Sequence, residues 1–276
     1  MTAQTTLVLG GTGKTGRRIV QQLTVRKVPV RIGSRSATPS FDWENRSTWP
    51  AALANVDAVY ISYYPDLAAP GATDAIRAFT EFAVRSGVRR LVLLSGRGEP
   101  EAQRCEEIVM KSGAQWTVLR CSWFNQNFSE NYLLEPILAG EVALPASNVV
   151  EPFIDADDIA DAAVAALTDN KHVGQLYELT GPKLLTFPEA IGEIARASGR
   201  AIRYVQISMD DYVAALEQAQ LPADLVALIK YLFTEVLDGR NAYVTDGVQR
   251  ALGRAPIQFA EYARRAAASG AWGAVK

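Results

Sequence analysis

A short apolar run, Leu7-Val8-Leu9, breaks into Gly10-Gly11-Thr12-Gly13-Lys14-Thr15-Gly16 and then into an amphipathic segment, residues 15–25. A strand that ends in glycines and re-enters as a helix is the opening unit of a parallel sheet, which restricts the chain to a small set of α/β folds. Gly10, Gly13 and Gly16 stand three apart. That spacing lets backbone turn tightly after a buried strand, approach a pyrophosphate closely, and pack the next helix against the sheet. The N–H groups of that helix's first turn have no intrahelical partner and face an anion favourably. The stretch reads as a dinucleotide-binding turn, with Gly10, Thr12, Gly13, Lys14, Thr15 and Gly16 as cofactor contacts. Gly13-Lys14-Thr15 also closes a nucleoside-triphosphate loop. Such a loop needs a glycine six residues before its lysine, and Val8 stands there.

Strand-like runs recur at residues 5–10, 28–32, 58–62, 90–95 and 116–119, each separated by enough chain for a helical crossover. Residues 70–86 and 99–112 carry helical periodicity and end at Gly87 and Gly113, as helix C-caps do. Two more strand candidates, 152–155 and 175–180, flank the alanine-rich segment 156–168. The fold class is therefore α/β: a Rossmann-like doubly wound parallel sheet of about six or seven strands, its ligand crevice at the carboxyl ends. After Gly181-Pro182 the pattern turns mostly helical, at 187–198, 209–219, 223–237 and 256–268, with a short strand near 202–207. The expected division is a dinucleotide-binding domain over 1–182, with an insert at 128–144 towards the substrate side, and a smaller cap over 183–276.

The 276 residues carry 28 basic and 30 acidic side chains, with no basic run longer than a pair. That balance gives no electrostatic case for nucleic acid, and no apolar stretch is long enough to span a bilayer. The start of the chain lacks a charged, then apolar, signal pattern, so the expected location is the cytoplasm and the expected partner a small-molecule substrate. Two cysteines, Cys105 and Cys121, and one histidine, His172, supply neither a zinc set nor a disulfide framework. Cys105 reads as a helix packing residue, and His172 as a surface turn residue. No metal site is expected.

An acidic residue at the end of the second strand would bond the ribose hydroxyls of an NAD-type cofactor, but Gly33-Ser34-Arg35-Ser36 stands there. A guanidinium flanked by two hydroxyls suits a 2′-phosphate, which favours NADPH. Asp42 follows closely and borders the adenine in this reading, with Trp43 beside it. Ser62 and Ser95, at the ends of the third and fourth strands, face the cofactor. Asp155, Asp157 and Asp158 open a helix and read as caps of its N–H groups.

Beyond the glycine turn, the segments 56–60, 86–95, 116–120, Trp123-Phe124-Asn125-Gln126-Asn127 and 152–160 resemble, in order, the atypical short-chain dehydrogenase/reductases of the NmrA-like group. Within it the likeness runs to the festuclavine and agroclavine dehydrogenase type of ergot alkaloid reductases. It is carried by Val8-Leu9-Gly10-Gly11, Phe41-Asp42-Trp43 and Val236-Leu237-Asp238-Gly239. The resemblance implies NADPH and reduction of a cyclic iminium to an amine. It also implies that the loop carrying Trp123, Phe124 and Asn127 lines the nicotinamide and substrate pocket.

The tyrosine and lysine four apart that many relatives use as a proton-donating pair are missing between Glu99 and Glu107. Where the group places a base before a glutamate, Ala102 precedes Glu106. An iminium carbon already carries positive charge, so positioning suffices for it; a carbonyl develops an alkoxide and needs a donor. Ser95 and Tyr63 are the catalytic candidates, with Tyr64, Phe124 and Asn127 on the substrate and Trp123 on the cofactor. The expected function is an NADPH-dependent oxidoreductase transferring hydride to a small electron-poor substrate, a cyclic iminium or quinone. The alternative is a non-catalytic NADP(H)-binding redox sensor and regulator of the NmrA type.

Overall fold

The computed structural model describes residues 5–146 and 148–273, so the outermost ends of the two expected domains, 1–4 and 274–276, lie outside the described residues. In chain order the strands are β1 (Thr5–Leu9), β2 (Val30–Gly33), β3 (Val56–Ile61), β4 (Arg90–Gly96), β5 (Gln115–Cys121), β6 (Glu141–Leu144), β7 (Val150–Glu151), β8 (Gln175–Leu179), β9 (Leu185–Thr186) and β10 (Arg203–Gln206). The helices are α1 (Lys14–Val25), α2 (Trp49–Leu53), α3 (Ala72–Arg85), α4 (Pro100–Met110), α5 (Leu134–Ala139), α6 (Ala156–Thr168), α7 (Phe187–Ser198), α8 (Met209–Gln218), α9 (Ala223–Tyr231), α10 (Gly247–Leu252) and α11 (Phe259–Ala268). The chain divides into two compact units. One comprises residues 1–121, 156–179 and 247–254; the other comprises 122–155, 180–246 and 255–276.

In the first unit six strands form one parallel sheet in the order β2-β1-β3-β4-β5-β8. Leu7 pairs with Val59, Val59 with Leu91 and Leu91 with Trp116, which fixes the register across its centre. Its central strands are apolar on both faces because both are covered by helices. Leu7, Leu9, Val59, Ile61, Leu91 and Leu93 pack on one face with Ile76 and Phe79 of α3 and Cys105 and Val109 of α4. Alternation sends Val8, Tyr60 and Val92 to the other face, where they are fully buried. There α1 and α6 lie side by side, joined by Arg18 to Asp157 and Gln22 to Asp161. Strand order reverses between β1 and β3, and the first glycine turn leaves β1 at that point. This is the place where open α/β sheets bind ligands.

The second unit is built on an aromatic core in which Phe128, Phe153, Phe187, Phe233, Phe259 and Trp272 are packed together. Helix α7 starts at a capping box, with Thr186 and Glu189 exchanging side-chain and backbone bonds. β6 pairs in parallel with β10, and β7 antiparallel with β9.

Two expectations change, on residues 152–155 and on His172. Residues 152–155 form no strand of the central sheet; the pairing falls earlier, on β7, and Ile154 makes a lone bridge to Phe124. The segment read as an insert holds β6, and α10 returns the chain to the first unit's β8, where a Cβ on Gly247 would overlap the Glu178 carbonyl. His172 is not on the surface. It is 1% exposed, its Nδ1 lies 2.9 Å from the Tyr177 hydroxyl, and its carbonyl accepts a hydrogen bond from Thr117.

Candidate functional site

Backbone hydrogen bonds hold the turn after β1. Gly10 sits at φ +66°, a left-handed conformation that glycine adopts without strain; its N–H donates to the Gly33 carbonyl and its own carbonyl accepts from Gly13. An ideal Cβ on Gly16 would overlap that same carbonyl, and one on Gly11 would lie 2.9 Å from Ile32 Cγ2. The glycines therefore bring α1 directly onto the turn. Gly13 caps α1 in an extended conformation, with no side-chain capping bond at that position. Beneath it, the buried Tyr60 hydroxyl donates to Thr15 Oγ1 at 2.9 Å. Burial raises the Tyr60 phenol far above its usual range, so it remains a donor. Ser62 lies against the turn, 3.3 Å from where a Gly10 Cβ would be. A cradle that any side chain would fill, under an uncapped helix start, fits the pyrophosphate of a dinucleotide.

An open depression of about 650 Å³ runs beside this turn, lined in part by Thr12, Ile32, Ser34, Ser36, Ala37 and Thr38. The Ser34 carbonyl accepts from both Ala37 and Phe41, folding the loop after β2 back on itself. Ser34 and Ser36 hydroxyls stand 3.3 Å apart. Arg35 between them is exposed and has no ion-pair partner among the described residues. The structure thus assembles the turn, Ser62 and the Ser34–Ser36 loop in one region. Asp42 is occupied otherwise: Oδ1 accepts from the Glu44 amide and its carbonyl from Trp49 Nε1, so it shapes its own loop.

The catalytic candidates both have internal partners. Ser95 is 4% exposed and donates to Glu106 Oε1 at 2.6 Å, and Glu106 in turn pairs with Arg120. Its single hydroxyl proton is directed at a carboxylate. Tyr63 packs edge-on against Trp43, centroids 4.9 Å apart, and burial and then the charge of Glu44 raise its phenol, making it a weaker acid than a free tyrosine. Tyr64 is 76% exposed. Trp123, Phe124 and Asn127 belong to the second unit. There Trp123 meets Phe187 and Phe233 edge-on, its amide donates to Glu151, and the Asn127 amide donates to the Phe124 carbonyl.

The aspartates at the start of α6 hold cations. Asp157 pairs with Arg18, the fully buried Asp158 with Arg254, and the fully buried Asp155 with Arg265 and Gln126. Sequence reasoning passed over Asp66 and Glu99, two carboxyls that meet beyond β3 and β4. The available signal was a glutamate in Gly96-Arg97-Gly98-Glu99 directly after a central strand. Among the described residues no cluster of side chains suits a metal ion, and no helix is long and apolar enough to cross a membrane.

Comparison with known proteins bears on family and fold. The chain is 31% identical to agroclavine dehydrogenase of Claviceps fusiformis, over 94% of its own length and 96% of that protein's. Its fold matches an NADPH-dependent quinone oxidoreductase from Escherichia coli solved with NADPH, at TM-score 0.78, 21% identity and coverage of 94% and 99%. It also matches NmrA, a negative transcriptional regulator, at TM-score 0.71, 18% identity and coverage of 95% and 94%. The model of a family described as NAD(P)H-binding spans residues 10–170, which takes in the glycine turn and most of the central sheet. With its Rossmann-like sheet and NmrA-like neighbours, the chain belongs to this NAD(P)H-binding family.

Proposed function

We propose that the protein is an NADPH-dependent oxidoreductase that passes hydride to a small, electron-poor substrate, a cyclic iminium or a quinone. The observation that carries this is the glycine cradle with its uncapped helix start, set beside a loop that offers Arg35 and two serine hydroxyls where an NAD-type site would offer a carboxylate. The backbone amides opening α1 hold the pyrophosphate, Ser62 borders it, and Arg35 with Ser34 and Ser36 takes the 2′-phosphate through charge-assisted bonds. The bound nicotinamide supplies the hydride. A relative that is an agroclavine dehydrogenase and a structural neighbour that is a quinone oxidoreductase support these two substrate classes.

One observation favours the sensor reading instead. Ser95, the hydroxyl best placed by sequence, has its proton engaged by Glu106. The deciding experiment mixes the protein with NADPH and a panel of cyclic iminium ions, quinones and aldehydes and follows loss of the reduced nicotinamide signal over many turnovers. Selective oxidation with one class is expected. Tight NADPH binding with no turnover across the panel overturns the enzyme reading in favour of the sensor.

A further inference from the structure

Two carboxyl groups meet at the carboxyl edge of the first unit's sheet, supplied by adjacent strand ends. Glu99 follows β4 by three residues and is 5% exposed; Asp66 follows β3 by five and is half-buried. The Glu99 side chain folds back over its own strand. An ideal Cβ on Gly96 would overlap the Glu99 carboxyl, so glycine at 96 is what makes room for it. Glu99 Oε2 is buried with no N–H or O–H donor among the described residues, and the group within hydrogen-bond reach of this carboxyl is that of Asp66.

Two carboxylate anions offer each other only acceptors. A hydrogen bond between them requires a proton on one, and a buried oxygen left without any partner costs free energy that such a proton removes. The surroundings favour holding it. Burial, then the neighbouring Asp66 charge, then Glu106 raise Glu99 well above the usual carboxylate range. Burial raises Asp66 as well, opposed by the Ala68 amide that donates to its Oδ1 at 2.8 Å and by the hydrogen bond with Glu99. On α4 the nearby titratable groups are Glu101, Cys105 and Glu106, and burial pushes the Cys105 thiol up to about 11. Arg120, the cation on β5 beside them, is engaged by Glu106.

We propose that Asp66 and Glu99 hold one proton between them and that Asp66, the more open of the two, delivers it to the substrate's oxygen during reduction. This rests on the reductase reading above. In the step, the carbonyl or quinone carbon framework accepts a hydride with its electron pair from the reduced nicotinamide. The C=O π pair moves onto oxygen, and that oxygen takes the proton from Asp66. The pair is left one proton short and regains it from water. An iminium substrate bypasses the donor, since its nitrogen receives the π pair and becomes a neutral amine. The dyad thereby fills the place of the missing tyrosine and lysine, and Glu99 acts as the positioning residue that keeps the proton available at neutral pH.

The first readouts need no turnover. At pH 7 the infrared spectrum of the wild-type protein should contain the carbonyl stretch of a buried protonated carboxyl, absent from Glu99→Gln; no such band in the wild type overturns the shared proton. A native carboxyl with a raised pKa contributes stability that is fully present at low pH and is lost as pH rises through the raised value. Urea stability of the wild type should therefore fall more steeply than that of Glu99→Gln as pH rises from about 5, just above the ordinary carboxylate range, to 7, and parallel curves over that span contradict the proposal. In kinetics, Asp66→Asn should lower kcat on a quinone or aldehyde at least ~10-fold more than on a cyclic iminium, within the range of general acid catalysis. Equal losses on both classes, or none, overturn the donor role. Turnover of neither class overturns the reductase reading and the donor role with it, while the infrared band still decides whether the shared proton exists.

Discussion

In the proposed function, Arg35 is the residue on which cofactor choice turns. Exposed, and without an ion-pair partner among the described residues, it gives up no internal contact when it binds a phosphate. A charged hydrogen bond of ~1.5–3 kcal/mol corresponds to roughly 10- to 100-fold in affinity. Arg35→Ala should weaken NADPH by that factor and leave NADH unchanged in fluorescence titrations; equal losses for the two would remove Arg35 from the site. Gly16 makes the complementary case from sterics. A Cβ there would overlap the Gly10 carbonyl oxygen, which belongs to backbone that the Gly13 amide already fixes. Gly16→Ala should cost at least the ~1–3 kcal/mol of an overpacked site and weaken both dinucleotides together. An unchanged urea midpoint with unchanged binding would contradict the cradle.

At the scale of elements, the βα alternation was legible because each central strand is an unbroken apolar run and each crossover helix carries a one-sided stripe, as in Ile19 and Leu23 of α1. The glycine turn was legible for the same reason: its spacing is local. What escaped were features that depend on distant partners. β6 is four residues long and owes its pairing to β10, about sixty residues later, and α10 is six residues placed against β8. The roles of the α6 aspartates were half visible, since a helix start explains acidic residues without revealing the arginines that meet them. Those ion pairs yield a prediction. Asp158 is fully buried while the Arg254 side chain is 39% exposed, so removing the arginine should cost less than the ~3–5 kcal/mol of a fully buried pair. Arg254→Ala is expected to lower urea stability by about 1–3 kcal/mol, and adding Asp158→Asn should restore part of it. Absence of any restoration would show that the loss comes from packing or from the lost Asp161 pair and not from the Asp158 charge.

For the molecule as a whole, the sequence defined a dinucleotide fold far better than it defined the chemistry performed there. Family, sheet and turn follow from patterns along the chain, whereas the side chains proposed to move a proton lie on separate loops, Asp66 after β3 and Glu99 after β4, and are joined only by folding. Ser95 looked suitable because a hydroxyl ends a central strand, yet the fold spends that hydroxyl on Glu106. Hydride transfer from NADPH is read out by following the isotope. NADPH deuterated at the transferable C4 position would be incubated with the protein and a cyclic iminium ion, and the amine product examined by mass spectrometry and NMR. One deuterium on the former iminium carbon for each NADPH consumed is the predicted result. NADPH that binds but is not consumed, or is consumed without deuterium appearing on that carbon, would contradict the account.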